Sequence, residues 1–307
     1  MTATATRLRH YMVGPCTIEL SMTAGEDLPP AVAAHWAPFG AAGGKATADM
    51  RVEIGHRAAG RSPAREHPLR CRAGNMHADV WQDGRGNQWL NFSHPAEGGG
   101  SAAAVELEAK RGFGDFRIST PAGLDELPCP VLPGVLMAAY SFAASRRALL
   151  VVHASAVVYK GRAILFLGPS GVGKSTHSQL WLRATEGCEL LNDDNPVVGL
   201  TAVGPWAYGS PWSGKTPCYK RLCAPIAAVV RLRRGAANEM RPLGGAEAYA
   251  AILESCNALR CNAEAYDATL ATAAKIAEGV AVYELKNLPT TEAAELCRAT
   301  ICNNGKL

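Results

Sequence analysis

The stretch that decides the fold is HASAVVYKGRAILFLGPSGVGKST, residues 153–176. Within it, GPSGVGKS satisfies the pattern G-x-x-x-x-G-K-[ST] of a phosphate-binding loop. Such a loop works because a strand delivers the backbone into a glycine-rich turn, and a helix begins there with its amide groups facing anionic oxygens. The apolar run AILFL precedes the loop, and THSQLWLRA follows it with a helical apolar side. The stretch therefore predicts a strand, a phosphate-binding loop and a helix in succession.

The predicted nucleotide-binding residues are those of this first loop, which we define as residues 168–176. We expect Lys174 to contact the β- and γ-phosphates of ATP, and the hydroxyl of Ser175 to ligate Mg²⁺. A glycine-rich turn without a ligand is the alternative interpretation. The remaining nucleotide contacts are expected from Gly168, Ser170, Gly171, Val172, Gly173 and Thr176.

A second loop, residues 209–216, reads GSPWSGKT and matches the same pattern. The preceding residues, AVGPWAY, contain Pro205 and predict a poor strand. Pro217 follows directly and would interrupt a helix begun at Gly214, while Pro211 removes an amide from the loop. We therefore predict that the second loop is not a phosphate cradle.

Two acidic residues follow the predicted helix in CELLNDDNPVVGL. A phosphate-binding loop needs a carboxylate that holds or polarises magnesium, usually at the end of a strand. Asp193 and Asp194 are adjacent carboxylates, and their mutual repulsion is tolerated best beside a cation. The alternative is a polar turn before Pro196.

Taken together, HASAVVYKGRAILFLGPSGVGKST and LLNDDNPVV resemble the catalytic domain of the HPr kinase/phosphorylase family, which shares its fold with phosphoenolpyruvate carboxykinases. The resemblance implies that Asp193 accepts the proton of the attacking hydroxyl and that Asp194 lies close to the magnesium and the phosphates. It also implies that His153 lies near the transferred phosphate. For His153 a core histidine between strands is the alternative.

In the part of the chain that holds the second loop, the family carries a glycine-rich signature with an arginine, whereas this chain has GSPWSGKTPCYKR. We predict that Lys215 faces the transferred phosphate or the acceptor, and that Trp212 shapes the pocket. A plain surface loop is the alternative.

Two regions are distinguished by their patterns. Residues 1–128 contain short alternating runs, including the hairpin pattern HADVWQDGRGNQWLNF, and are predicted to form a β-rich region. Residues 129–307 interleave apolar runs with alanine-rich helical patterns, and are predicted to form an α/β or mixed domain. The resemblance implies that this domain is a phosphate-loop domain of the HPr-kinase and phosphoenolpyruvate-carboxykinase type. Two strands are expected across LLVVHASAVVYKGRAILFLG, and a helix across AEAYAAILESCNALRC.

The composition narrows the range of partners and location. The chain has 307 residues and a net charge of +4 without a basic block, so neither nucleic acid nor an anionic membrane is predicted as a partner. The apolar stretch 129–144 is short and interrupted by Pro130 and Pro133, and the first ten residues lack the apolar run of a secretory signal. We therefore expect a cytoplasmic protein, and the resemblance makes a homo-oligomer plausible.

The function that these features predict is an ATP- and Mg²⁺-dependent kinase. Its acceptor would be a hydroxyl on a small molecule or on a seryl residue of a peptide or protein. Two alternatives stay open: an enzyme resembling ATP-dependent phosphoenolpyruvate carboxykinase, and a non-catalytic module that senses nucleotide.

Overall fold

The computed structural model describes residues 7–23, 25–42, 47–56, 69–73, 76–93, 105–121, 123–127 and 131–307. Contacts divide the chain into one compact unit of residues 1–146 with 259–266 and another of residues 147–258 with 267–307. The predicted boundary after residue 128 falls outside the described residues, and the helix that follows it belongs to the first unit. Among the described helices, none has both the length and the apolar character that crossing a membrane would need.

The first unit contains an eight-stranded sheet, so its β-rich character is as predicted. Its strands follow the order β1-β2-β3-β8-β7-β6-β5-β4, with parallel pairing only of β3 to β2 and β8. The predicted hairpin is present as β5 and β6. The elements are β1 Arg7–Val13, β2 Cys16–Met22, α1 Pro30–Trp36, β3 Met50–His56, β4 Leu69–Ala73, β5 Met76–Gln82, β6 Gln88–Ser93, β7 Val105–Ala109, β8 Asp115–Thr120 and α2 Val131–Ser145.

The second unit is mixed α/β. Its elements are β9 Leu149–Val151, β10 Ala154–Tyr159, β11 Arg162–Leu167, α3 Lys174–Ala184, β12 Glu189–Asp194, β13 Val197–Thr201, β14 Gly204–Tyr208, β15 Cys223–Arg234, β16 Glu239–Leu243, α4 Gly245–Leu253, α5 Ala263–Gly279, β17 Ala281–Asn287 and α6 Thr291–Asn303. Seven of the nine strands follow the order β12-β10-β11-β15-β14-β13-β9, and β17 pairs with both β15 and β16.

The position of the site follows from strand direction in this sheet. Strands β11, β15 and β17 are parallel, and β12 runs in the same direction because both it and β11 are antiparallel to β10. The carboxyl ends of β12, β11 and β15 therefore meet at one edge of the sheet. Apolar side chains of α4 and α5, such as Ile252 and Ile276, cover one face. Trp181 of α3 and Ile301 of α6 cover the other.

Three local predictions were wrong. Residues 149–168 form three strands instead of two, because the chain breaks between β9 and β10 at Val152 and His153. The predicted poor strand AVGPWAY contains β14, which tolerates Pro205 because only residues 206–208 pair with β15. The helix expected to reach Cys261 ends at Leu253.

The early end of α4 has a tertiary cause. The carbonyl of Ser255 accepts a hydrogen bond from the amide of His153 at 2.7 Å, and the amide of Asn257 donates to the carbonyl of Val151 at 2.9 Å. These bonds tie the chain to β9 and to the start of β10, and they replace the helical bonds that the alanine-rich pattern predicted.

Candidate active site

The first loop has the predicted strand, turn and helix in order. Strand β11 ends at Leu167, and α3 begins at Lys174 with Gly173 as its N-cap at a φ of 109°. A side chain at Gly168, whose φ is 139°, would put its Cβ 2.9 Å from Val172 Cγ1 and 3.1 Å from the carbonyl oxygen of Leu232. Only glycine permits this turn between the strand and the helix.

The amino group of Lys174 lies against the first loop itself. Its Nζ donates to the carbonyls of Gly168 at 2.9 Å and Pro169 at 3.3 Å, and it lies 2.8 Å from Nε2 of His153. The residue is only 7% exposed. Burial lowers the pKa of this amino group, and the nearby charges of Asp194 and Asp193 oppose that shift.

His153 connects this lysine to the acidic pair. Its Nδ1 lies 3.0 Å from Oδ1 of Asp194, and the side chain is 37% exposed. A charged lysine can only donate, so Nε2 accepts from Lys174 and the hydrogen on Nδ1 faces Asp194. With this exposure and two polar partners, His153 is not a core histidine. The other oxygen of Asp194, Oδ2, accepts from Asn195 at 2.7 Å.

Asp193 is held by both carboxylate oxygens. Oδ1 accepts a hydrogen bond from the hydroxyl of Ser155 at 2.9 Å, and Oδ2 accepts from the backbone amide of Thr216 at 3.2 Å. The hydroxyl of Ser155 lies 2.6 Å from that of Ser178, one turn after Lys174 on α3. All three side chains are buried. The acidic pair ends β12, as predicted, and Asp193 is positioned from both the first-loop helix and the second loop.

The second loop lies along the acidic pair. The amide of Gly214 donates to the carbonyl of Asp193 at 3.0 Å, and Ser213 forms a β-bridge with Asp194. The predicted reason for excluding this loop as a cradle was partly wrong, because β14 does precede it. The valid reason is that no helix follows, since the chain runs on to β15.

The two predicted residues of the second loop have different environments. Trp212 is 5% exposed, and its carbonyl accepts from the amide of Asn195 at 3.3 Å. Lys215 is exposed, and within the described part of the chain its amino group has no hydrogen bond or ion pair. The backbone of Lys215 thus lies two residues after Ser213, which forms the bridge with Asp194.

We expect Gly214→Ala to reduce any catalytic activity of this site by about tenfold to a hundredfold, because misplacing a reacting group by about 1 Å has effects of this size. The added Cβ would lie 2.5 Å from the carbonyl oxygen of Asp193 and 3.1 Å from Cβ of Asp194. Turnover is measured beside Gly244→Ala, whose Cβ would enter open space. Equal activity in the two variants would contradict a role for this close approach.

A cavity of about 720 Å³ lies beside the first loop. Arg234 closes part of its wall by donating from Nη2 to the carbonyl of Gly171 at 2.9 Å. These arginines were not predicted as site residues, although the pattern RLRR, residues 231–234, at the end of an apolar strand indicates a cluster of positive charge there. The lining residues are His153, residues 168–172, residues 231–234, Ala251, Glu254 and Ser255.

The remaining predicted residues lie on the first loop and α3. Ser170 and Thr176 are exposed, while Val172 and Ser175 are half-buried. Within the described residues no group of three or more His, Cys, Asp or Glu side chains forms a metal site. A magnesium ion held partly by phosphate oxygens and water does not need such a group, and Ser175 and Asp194 carry the oxygen ligands that this ion prefers.

Acid is expected to destabilise the second unit through His177. This side chain is 1% exposed, packs on Phe166 with ring centroids 4.7 Å apart, and has no hydrogen bond to either ring nitrogen among the described residues. Burial lowers its pKa from 6.5 to about 4. The unfolded chain therefore binds the proton at a higher pH, and the free energy of unfolding should fall by about 2 kcal/mol from about pH 7 to about pH 5.

Urea unfolding of the wild type and of His177→Met checks this expectation, since methionine fills an apolar gap without titrating. Between about pH 7 and about pH 5, the free energy of unfolding of the variant should fall by about 2 kcal/mol less than that of the wild type. The same pH dependence in both proteins would show that His177 does not cause it.

Comparisons with known proteins find matches among solved structures. No family model matches the chain, and no curated protein matches it. Among solved structures, the HPr(Ser) kinase/phosphatase from Coxiella burnetii is similar at 12% identity and a TM-score of 0.30, over 50% of this chain and 95% of that chain. We draw no functional argument from a similarity of this size.

Proposed function

We propose that this chain is an ATP- and Mg²⁺-dependent kinase that transfers the γ-phosphoryl group of ATP to a hydroxyl acceptor. The acceptor is a small molecule or a seryl residue of a peptide or protein. The observation that carries the proposal is the chain of contacts from Lys174 through His153 to Asp194, with Asp193 beside it, at the end of a glycine-rich loop. A lysine at the start of a helix and two carboxylates at the end of a neighbouring strand are groups that phosphoryl transfer uses.

The first loop binds the phosphates in this proposal. Its amides lie at the N-terminus of α3, where the helix dipole favours negative charge. Lys174 leaves the loop carbonyls for the β- and γ-phosphates, and its stem stays buried. Open space at Gly171 and Gly173, where an added Cβ would meet no atom within 4 Å, leaves room for a ligand over the loop. The other nucleotide contacts are those predicted at Gly168, Ser170, Val172, Ser175 and Thr176.

Magnesium, when bound, neutralises charge on the phosphate oxygens. Ser175 and Asp194 would hold it, because a hydroxyl and a carboxylate are ligands that Mg²⁺ prefers. Asp194 is already oriented by His153 and Asn195, so its carboxylate needs little reorganisation.

Asp193 acts as the general base. Each of its carboxylate oxygens accepts one hydrogen bond from the protein and keeps a further lone pair for the acceptor hydroxyl. Its two fixed partners, Ser155 and the amide of Thr216, hold the carboxylate in one orientation, which general-base catalysis requires. His153 lies at the reacting end, between the lysine and Asp194.

Lys215 contacts the acceptor or the transferred phosphoryl group. We expect Lys215→Ala to raise the KM for the acceptor about tenfold, the effect of losing one charge-assisted hydrogen bond, and to leave ATP affinity unchanged. Steady-state kinetics beside Lys275→Ala, an exposed lysine on α5, provides the comparison. If turnover and KM are both unchanged, the second loop is a plain surface loop at Lys215.

The proposal is tested by incubating the protein and Mg²⁺ with a desalted cell extract, its small-molecule fraction and ATP labelled in the γ-phosphate. We expect label in a new product from γ-labelled ATP and none from ATP labelled in the α-phosphate. Identifying the product distinguishes a metabolite from a protein. Binding of ATP without transfer to either fraction would overturn the kinase and favour a nucleotide-sensing module.

A further inference from the structure

One arginine that lines the cavity beside the first loop has a donor without an acceptor. Arg231 is 12% exposed in its side chain and donates from Nη2 to Glu284 at 2.7 Å. Its Nε is buried and has no hydrogen-bond partner among the described residues. A buried N–H of a charged group is costly to leave unpaired, so this donor points to a ligand oxygen.

Arg233 offers further donors at the same place. Arg233 lines the cavity, and 57% of its side chain is exposed. Among its three guanidinium nitrogens, only Nε donates a hydrogen bond to a described residue, to Glu284 at 2.7 Å. Its two terminal nitrogens have no partner in the described part of the chain. A guanidinium with both terminal nitrogens available matches the two oxygens of a carboxylate or phosphate.

The charge of the lining favours an anion. Arg231, Arg233 and Arg234 line the cavity, and Glu254 is the one carboxylate among the lining residues. Glu284 is 5% exposed and is shared among arginines, so it neutralises part of this charge. An excess of positive charge in a concave site attracts anionic ligands.

The cavity adjoins the position expected for the transferred phosphoryl group, and residues 168–172 of the first loop, which include predicted nucleotide contacts, also line it. Lys174, Ser175 and Asp193 are not among its lining residues, whereas His153, which contacts both Lys174 and Asp194, is. A ligand here can therefore place one end at the reacting groups and the other against the arginines. The volume is that of a small-molecule site.

We propose that this cavity binds a carboxylate or phosphate group carried by the acceptor, so that the acceptor is an anionic hydroxy compound. That the acceptor carries a hydroxyl group rests on the proposed kinase function. That it carries an anionic group rests on the cavity alone. A nucleoside in the same cavity would leave the arginine donors without an anionic partner, because the base and the ribose are uncharged.

The experiment is calorimetric titration of the Mg·ADP-saturated protein with malate, with glycerol phosphate and with glycerol. Malate and glycerol phosphate carry a hydroxyl with a carboxylate or a phosphate, and glycerol is uncharged. We expect one of the two anions to bind and glycerol not to bind. The anion that binds identifies the chemistry of the group.

Arg233→Gln and Arg241→Gln form a matched pair of variants. Both arginines bind Glu284, Arg241 through Nε at 3.2 Å, but only Arg233 lines the cavity. We expect Arg233→Gln to weaken binding of the anion by at least about tenfold and Arg241→Gln by less than about twofold. A melting curve of each variant shows that it is folded.

Three results would overturn the inference: neither anion binds, both variants weaken the anion equally, or Arg233→Gln weakens Mg·ADP instead, which would place the nucleotide in the cavity. None of these measurements requires turnover. Failure of the anion site is thus distinguishable from failure of the kinase, which the transfer of labelled phosphate tests.

Discussion

Asp193→Asn should reduce phosphoryl transfer by at least about 10³-fold and change the affinity for Mg·ATP by less than about threefold. Asparagine has nearly the same shape, and its amide oxygen can still accept from Ser155 or from the amide of Thr216. It cannot take up a proton from the acceptor hydroxyl. The loss should therefore appear in kcat, with nucleotide binding retained because the first loop is untouched.

Single-turnover transfer and equilibrium binding of Mg·ATP, measured on the same preparation, separate these two effects. Asp267→Asn, the same substitution at an exposed position on α5, is the control and should keep full activity. Transfer at the wild-type rate in Asp193→Asn would remove this residue from the mechanism. A large loss of ATP binding would instead assign it to the nucleotide site.

Lys174→Met should impair both nucleotide binding and transfer. We expect the affinity for Mg·ATP to fall by about tenfold to a hundredfold, as removal of charge-assisted hydrogen bonds predicts, and transfer to fall by at least about 10³-fold. Methionine has a similar unbranched stem and can occupy the buried position. It has no charge for the phosphates, and it leaves Nε2 of His153 without its donor.

Displacement of a fluorescent ATP analogue measures the affinity, and Lys275→Met serves as the matched control on the surface of α5. If Lys174→Met binds Mg·ATP as tightly as the wild type, the phosphates do not lie at the first loop. The melting temperature of the variant must be measured as well, because replacing a buried cation changes the packing around Gly168 and Pro169.

The order of strand, loop, helix and acidic strand end could be predicted from sequence because each is a local pattern. A buried run followed by glycines and a helical apolar stripe specifies β11, the first loop and α3 without knowledge of the rest of the chain. Asp193 and Asp194 follow the next apolar segment, so their position at the end of β12 could also be predicted. The strand β14 was missed because Pro205 is disfavoured in a central strand but accepted where one side lacks a partner.

The groups that position Asp193 could not be predicted, because they come from different elements. Ser155 belongs to β10, Ser178 to α3 and Thr216 to the second loop. The two serines contribute neutral hydroxyl groups and Thr216 contributes its backbone amide, and none of these donors is conspicuous in a sequence. Ser155 acquires this role only when the sheet brings its hydroxyl within 2.9 Å of the carboxylate, and Ser178 only when α3 brings its hydroxyl within 2.6 Å of that of Ser155. The end of α4 depends in the same way on backbone bonds to β9 and to His153, which no local pattern encodes.

The second loop shows the limit of a sequence pattern most clearly. It matches the phosphate-loop pattern as well as the first loop does, yet it leads into a strand and packs its backbone on the acidic pair. The pattern marks a loop with glycine, lysine and a hydroxyl, and only the following helix supplies the anion site. In the proposed function the two loops therefore belong to one site, where the first binds phosphate and the second contacts the acceptor side.

The most direct test of this central claim is the stoichiometry of Mg·ATP binding by calorimetry, for the wild type, Lys174→Met and Lys215→Ala. We predict one nucleotide per chain in the wild type, the same single site with unchanged affinity in Lys215→Ala, and a strongly weakened site in Lys174→Met. Two nucleotides per chain, or a site that survives Lys174→Met and disappears in Lys215→Ala, would contradict the assignment.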